Sequence, residues 1–336
     1  MKDTGRSRRL LPLTALLAAA GLAAAACGGT AAPPPVNAPP ASPHTAAEKA
    51  ATMNWLAKTN QMRTKGDFAA LDQVTTAEMR TLYQAEQHHA ASAKGASGPA
   101  FQLTGLSITV PCHAGAGTVF VAYGDTDVFT VGQGIQPVAM VFRRVGSQWK
   151  LAAAVNRPGG GWPALCRQGT ATAAPAEVAP DRYAPDLATV LTRAMTGAEE
   201  TPATAAPFDV NGFLVGPDSV GGQAAGWIRQ DRRAGVSFTG HFTPVPGPTF
   251  ALPLANGRGY WVIGILIQSD SHSSPTGLRK AAWPDGTVVA TPRPAVVHHE
   301  TDTYITTYAA IDPLRSADAT VALDGFFGSS LTATAG

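Results

Sequence analysis

Phe142-Arg143-Arg144-Val145-Gly146-Ser147-Gln148-Trp149-Lys150-Leu151 decides the fold class. The residues before Gly146 close an apolar run that begins at Pro137. Those after Ser147 open another, Trp149 to Val155. Two β-prone runs joined by Gly-Ser predict a tight antiparallel hairpin. Upstream, Thr118 to Tyr123 reads as a further strand. Phe101-Gln102-Leu103-Thr104 alternates, Gly105 shifts the phase, and Ile108 and Val110 resume it. A glycine that shifts the phase inside a strand predicts a β-bulge. The segment as a whole is an antiparallel meander.

Further upstream the apolar period changes to that of a helix. Thr45-Ala46-Ala47-Glu48 has the form of a capping box. A helix carrying Met53, Trp55, Leu56 and Met62 then runs to about Lys65. Gly66-Asp67 breaks it, and Phe68 to Val74 reads as a short helix. Thr75-Thr76-Ala77-Glu78 is a second capping box, before a helix with Met79, Leu82, Tyr83 and Glu86 on one side. Gly95 to Pro99 ends the helical part.

The second half repeats the order coarsely. A helix is expected over Asp186 to Met195, and Asp218/Ser219 can cap another that ends at Arg233. Strands are expected at Val236–Thr243, Thr249–Leu254 and Tyr260–Gln268. A Ser/Pro/Gly-rich loop is expected over 269–286, then a long strand from Val296 to Ala310. Short strands at Val321–Phe326 and Ser330–Thr334 complete the set. The expected fold class is therefore α+β, in two tandem units of N-terminal helices packed on a curved antiparallel sheet.

The N-terminus is of another kind. Arg6, Arg8 and Arg9 precede an apolar stretch from Leu10 to Ala26, and Ala24-Ala25-Ala26 leads into Cys27-Gly28-Gly29. This basic, apolar and small-residue order resembles a bacterial lipoprotein signal, with Ala24 where Leu is commonest. It implies cleavage after residue 26 and acylation (palmitate) of Cys27. Ser7-Arg8-Arg9-Leu10-Leu11 also resembles a twin-arginine motif, with Pro12 where an apolar residue is usual; that export route and the general secretory route both stay open. Residues 28–44, with Pro33-Pro34-Pro35 and Pro39-Pro40, bury too little apolar area to fold. The expected organisation is 1–26 signal peptide, 27–44 disordered tether, 45–168 first domain, 169–180 linker and 181–336 second domain.

Charge follows the same division. The chain has 25 basic and 23 acidic residues, net +2. Residues 1–26 hold Lys2, Arg6, Arg8, Arg9 and Asp3, so the remaining 310 carry 21 basic and 22 acidic groups, net −1. No basic stripe argues for nucleic acid as a partner. Of three cysteines, Cys27 is the lipid site. Cys112 and Cys166 remain, and an oxidising compartment favours a disulfide between them over two free buried thiols.

The first half resembles the nuclear transport factor 2-like (SnoaL-like, cystatin-like) superfamily. The residues that carry the resemblance are Gly66-Asp67-Phe68-Ala69-Ala70-Leu71 and the hairpin from Phe142 to Leu151. In the second half, Ala234 to Phe238, Phe250 to Gly257 and the closing Gly325 to Gly336 resemble actinobacterial extracytoplasmic lipoproteins of unknown function. The superfamily spans isomerases, dehydratases and pure binding modules, so fold alone assigns no activity. The resemblance implies a cone-shaped pocket between helices and sheet that Trp55, Tyr83, Phe120, Phe142 and Trp149 can line for ligand binding, or fill as plain core. Its enzymes place an Asp/His pair in that pocket, and no such pair is matched here.

Motif searches add little. The chain has no G-x-S-x-G, no phosphate-binding G-x-x-x-x-G-K-[ST], no H-E-x-x-H and no C-x-x-C. Gly216 to Gly221 suggests a nucleophile elbow but has Pro217 where the turn needs Gly. His298, Glu300 and Asp302 would share one face of a strand, continued by Tyr304, Thr306 and Tyr308. They can hold a divalent metal or simply face solvent. Asp125-Thr126-Asp127 lacks the other ligands of a calcium loop, and His88-His89 suits a helix C-terminus.

Together these readings predict a lipid-anchored protein on the extracytoplasmic face of the cell membrane. It is expected to act as a non-catalytic binding or scaffolding module without cofactor or metal, with an envelope protein or small molecule as partner. The alternative is an isomerase- or hydrolase-like enzyme using the cone pocket, or a metal-dependent one at His298/Glu300.

Overall fold

The computed structural model describes residues 43–84, 100–112, 118–128, 135–156, 161–167, 208–209, 232–245, 249–278, 288–289, 297–313 and 321–335. The expected signal, most of the expected tether, the expected linker, His88-His89, Gly216 to Gly221 and the expected helix at Asp186–Met195 lie outside them. Helices and two open, largely antiparallel sheets make the fold α+β.

Helix α1 spans Pro43–Lys65. It begins two residues before Thr45, which therefore lies inside the helix instead of capping it. Glu48, Thr52, Trp55, Leu56, Thr59 and Met62 are buried, at the three- and four-residue spacing of one helix face. Gly66 ends the helix with φ +68° and donates its N–H to the Met62 carbonyl at 2.7 Å, a left-handed stop that suits glycine. Helix α2 is the short turn Ala69–Asp72. Helix α3 covers the described residues 77–84. The second capping box does not form. The Thr76 backbone carbonyl accepts the first helical N–H, from Arg80 at 2.9 Å, Thr76 Oγ1 has no hydrogen-bond partner among the described residues, and the Thr75 hydroxyl donates to the Leu71 carbonyl at 2.8 Å.

The first sheet is the expected meander, in order β1 (Leu103–Thr109), β2 (Val119–Thr126), β3 (Gln136–Val145) and β4 (Gln148–Asn156). Gly146, with φ +61°, makes the β3–β4 turn, and the register slips between Thr104 and Ser107, where Gly105 has φ +63°. Hydrogen bonds to the backbone tie the helical part to the sheet. Asn60 pairs with both backbone groups of Phe101, at 2.7 and 3.1 Å. The chain at 74–76 brackets Leu151 on the free edge of β4, with Leu151 N–H to the Val74 carbonyl at 2.7 Å and Thr76 N–H to the Leu151 carbonyl at 2.9 Å. At Leu151 the edge ladder is therefore already paired.

The second sheet has the order β5-β11-β10-β8-β6. Its strands are β5 (Phe208–Asp209), β6 (Ser237–Pro244), β8 (Gly259–Leu278), β10 (Val297–Pro313) and β11 (Val321–Ala335). Strand β7 (Phe250–Pro253) extends the β6 edge of β8, and β9 (Val288–Val289) pairs with β11. Two expectations are corrected here. The loop expected from 269 is strand as far as Leu278, because β6 and β10 pair with Ser269–Ser273 from both sides. The two short C-terminal strands are one, β11, aligned by β10 along its length. In both places the ladder overrides weak local propensity.

The sheets share their core. Val138, Met140 and Phe142 of β3 join Trp55, Leu71, Met79, Leu82 and Tyr83 on the helix side. Ala139 and Val141 join Val155, Leu165, Phe250, Leu252, Trp261, Ile263 and Ala309 on the other. Strands β2, β3 and β4 are thus buried on both faces. Ile265 and Ile305 of the second sheet reach the helix-side core as well.

Candidate functional site

The five aromatics nominated for a ligand pocket come together. Trp55, Tyr83, Phe120 and Phe142 are fully buried, and Trp149 packs against them. Phe120 stacks on Phe142 at 4.7 Å and meets the Trp149 edge at 4.8 Å. Trp55 stands edge-on to Phe142 at 6.1 Å and tilted to Tyr83 at 6.4 Å. These are the separations of directly contacting rings. The aromatics occupy the space between α1 and the sheet themselves.

The strand cluster on β10 divides. The register between β8 and β10 slips between Val297 and His299. His298 is exposed and its Nδ1 lies 3.1 Å from the Ser274 carbonyl, whereas Glu300 is buried. The extra residues of the slip lie on β8, and His299 Nε2 stands 3.1 Å from Thr301 Oγ1, so β10 keeps its two-residue alternation while His298 and Glu300 differ in exposure. Among the described residues, no three His, Cys, Asp or Glu side chains are grouped to hold a metal ion.

What forms instead is a polar, buried patch across three strands. Asp302 of β10 stands opposite Asp270 of β8, Glu300 opposite His272, and Tyr304 opposite Gln268. On the other side of β8, Phe238, Gly240 and Phe242 of β6 lie opposite the same three residues. The Phe238 ring meets His272 at 5.0 Å. Gln268, Asp270, Glu300 and Tyr304 are buried. Gln268 Nε2 donates to Asp270 Oδ2 at 2.9 Å, while Asp270 Oδ1 has no hydrogen-bond partner among the described residues.

Burial pushes the Asp270 carboxyl up to about 7, and the Asp302 charge adds to this. The Gln268 hydrogen bond and His272 oppose it. Tyr304 is held well above its ordinary value, first by burial and then by Asp302, Asp270 and Glu300. The patch can therefore take up and release a proton near neutrality. Asp270 and His272 escape a reading that ends the strand at Gln268. The usable signal was alternation, since Leu266, Gln268, Asp270 and His272 continue one face.

The remaining nominees have structural places. Asp125 and Thr126 end strand β2, Asp127 Oδ1 accepts the Gln102 N–H at 3.0 Å, and Thr126 Oγ1 accepts the Val128 N–H at 3.2 Å in the turn that follows. Cys112 and Cys166 are joined as a disulfide, with Cα atoms 5.4 Å apart. Cys27 lies outside the described residues. No helix among the described residues is long and apolar enough to cross a membrane. No protein-family model and no curated protein matches the chain.

Proposed function

We propose that this chain is a lipid-anchored protein of the extracytoplasmic membrane face that works by binding or scaffolding, without a reaction of its own. The observation that carries the reading is the segment ending at Cys27. A basic start, an apolar stretch and small residues stand directly before a cysteine followed by two glycines. The Cys112–Cys166 disulfide suits an oxidising compartment and supports the same placement. The mutual packing of Trp55, Tyr83, Phe120 and Phe142 favours core over catalytic pocket. In this reading both halves are nuclear transport factor 2-like units, fused through the core between their sheets.

The test is Cys27→Ser in the native host. Wild type should incorporate labelled palmitate and fractionate with membranes, and the variant should do neither. A variant that stays with membranes, together with unlabelled wild type, would overturn the anchor.

A further inference from the structure

We propose that the cleft where α2, the start of α3 and β4 meet binds a small oxyanion, the phosphate or carboxylate group of a polar ligand. The cleft measures about 430 Å³, and Asp72, Thr76, Arg80 and Lys150 line it. Its charged groups are two cations and one carboxylate. Asp72 links both cations: its Oδ1 accepts from Arg80 Nη1 at 2.7 Å, and its backbone carbonyl accepts from Lys150 Nζ at 2.5 Å. The charge balance of the lining is +1, which favours an anion.

Three further observations converge on the cleft. Helix α3 starts there, and the first N–H groups of a helix have no partner within it and attract negative charge. Thr76 is 6% exposed, and its Oγ1 has no hydrogen-bond partner among the described residues. Arg80 Nε, one helical turn further on the same face, has none either. Polar groups buried without a partner are costly and rarely kept without use. Asp72 is the built-in stand-in: its carboxylate, about half exposed, occupies the cation that an incoming oxyanion would take. Thr81 and Gln84 continue the lining, so the rest of the ligand is polar as well.

The site deepens the binding half of the reading above and needs nothing of the anchor. Loss of oxyanion binding with Cys27 still acylated sinks the site alone, and the converse result sinks the anchor alone. The experiment titrates the full chain with inorganic phosphate and, separately, with acetate, by calorimetry at low ionic strength. One saturable site is expected, and the tighter of the two anions identifies the ligand group. Arg80→Gln and Lys150→Gln should each weaken binding about tenfold, as for a lost charge-assisted hydrogen bond. Asp72→Asn breaks the same ion pair but keeps the cation, and it should tighten binding. Arg258→Gln, an exposed cation in the turn before β8, should change nothing. The proposal is overturned if neither anion saturates, if Asp72→Asn weakens binding, or if Arg258→Gln weakens it as much as Arg80→Gln. Melting curves of all four variants separate lost binding from lost fold.

Discussion

Tyr308 lies across Gly264, its direct partner on the neighbouring strand. A Cβ at position 264 would stand 2.5 Å from Tyr308 Oη and 2.7 Å from Cζ. Tyr308 is fully buried, so its ring cannot swing clear. Gly264→Ala is therefore expected to destabilise the protein by about 1–3 kcal/mol, the usual cost of forcing extra volume into a packed core. Tyr308→Phe removes only the hydroxyl and leaves Cζ in place, so it should not rescue the alanine. Urea midpoints of the two single variants and the double variant decide this. An alanine variant as stable as wild type would mean that the ring yields.

The disulfide ties more than the first half. Cys112 N–H donates to the Cys166 carbonyl at 2.9 Å, and Cys166 N–H donates to the Pro253 carbonyl at 2.8 Å. Leu165 also bridges to Leu254. The segment at 161–167 is thus shared between the end of β1 and the end of β7. The bridge is therefore tied to both halves. With 54 residues of separation, the chain-entropy estimate is about 4 kcal/mol. Cys112→Ala should lower the melting temperature of one common transition. Two resolved transitions, with only the first shifted, would show that the halves unfold independently.

Phe142 tests the aromatic cluster. It touches Trp55 and Phe120 and is fully buried. Phe142→Ala should cost about 3–5 kcal/mol, a transfer loss plus a cavity. A core role predicts the loss at every ligand concentration. Near-wild-type stability for the alanine variant would reopen a pocket at this position.

The parts of the fold that were legible are those whose signal is local. Gly146 and Gly105 take the left-handed φ values that a turn and a bulge need, and both were readable from their place between apolar runs. The apolar run Val138-Ala139-Met140-Val141-Phe142 reads as a strand, but it cannot name the partner that covers its second face. That partner is Trp261, Ile263 and Ala309, more than a hundred residues away. Ser269 to Leu278 failed for the same reason. Its serines, aspartate and histidine carry little strand propensity, and only pairing with β6 and β10 makes it a strand. The acidic patch was half visible. Glu300 and Asp302 were nominated, but the facing Asp270 was lost with the loop.

Asp270 makes a prediction about pH. Its carboxyl is 3% exposed and titrates at about 7 in the folded protein, against about 4 in an unfolded chain. Burial is the main cause, and Asp302 opposite adds to it. The folded state therefore binds the proton more tightly than the unfolded state. Below about pH 4 both states are protonated, and the native fold has the full benefit of a neutral group there. As pH rises from about 4 to 7 the unfolded state gives up the proton first, so stability from this group falls across that window and stays low above it. The span corresponds to about 4 kcal/mol at most, since each pH unit is about 1.4 kcal/mol. Asp270→Asn keeps the shape and an acceptor for Gln268, but cannot ionise. It should flatten the pH dependence between about pH 4 and 7 and raise stability at neutral pH. Chemical denaturation of both proteins at several pH values is the measurement. Parallel curves would mean that Asp270 stays ionised in the fold, and the buried patch would then be a fixed charge instead of a proton site.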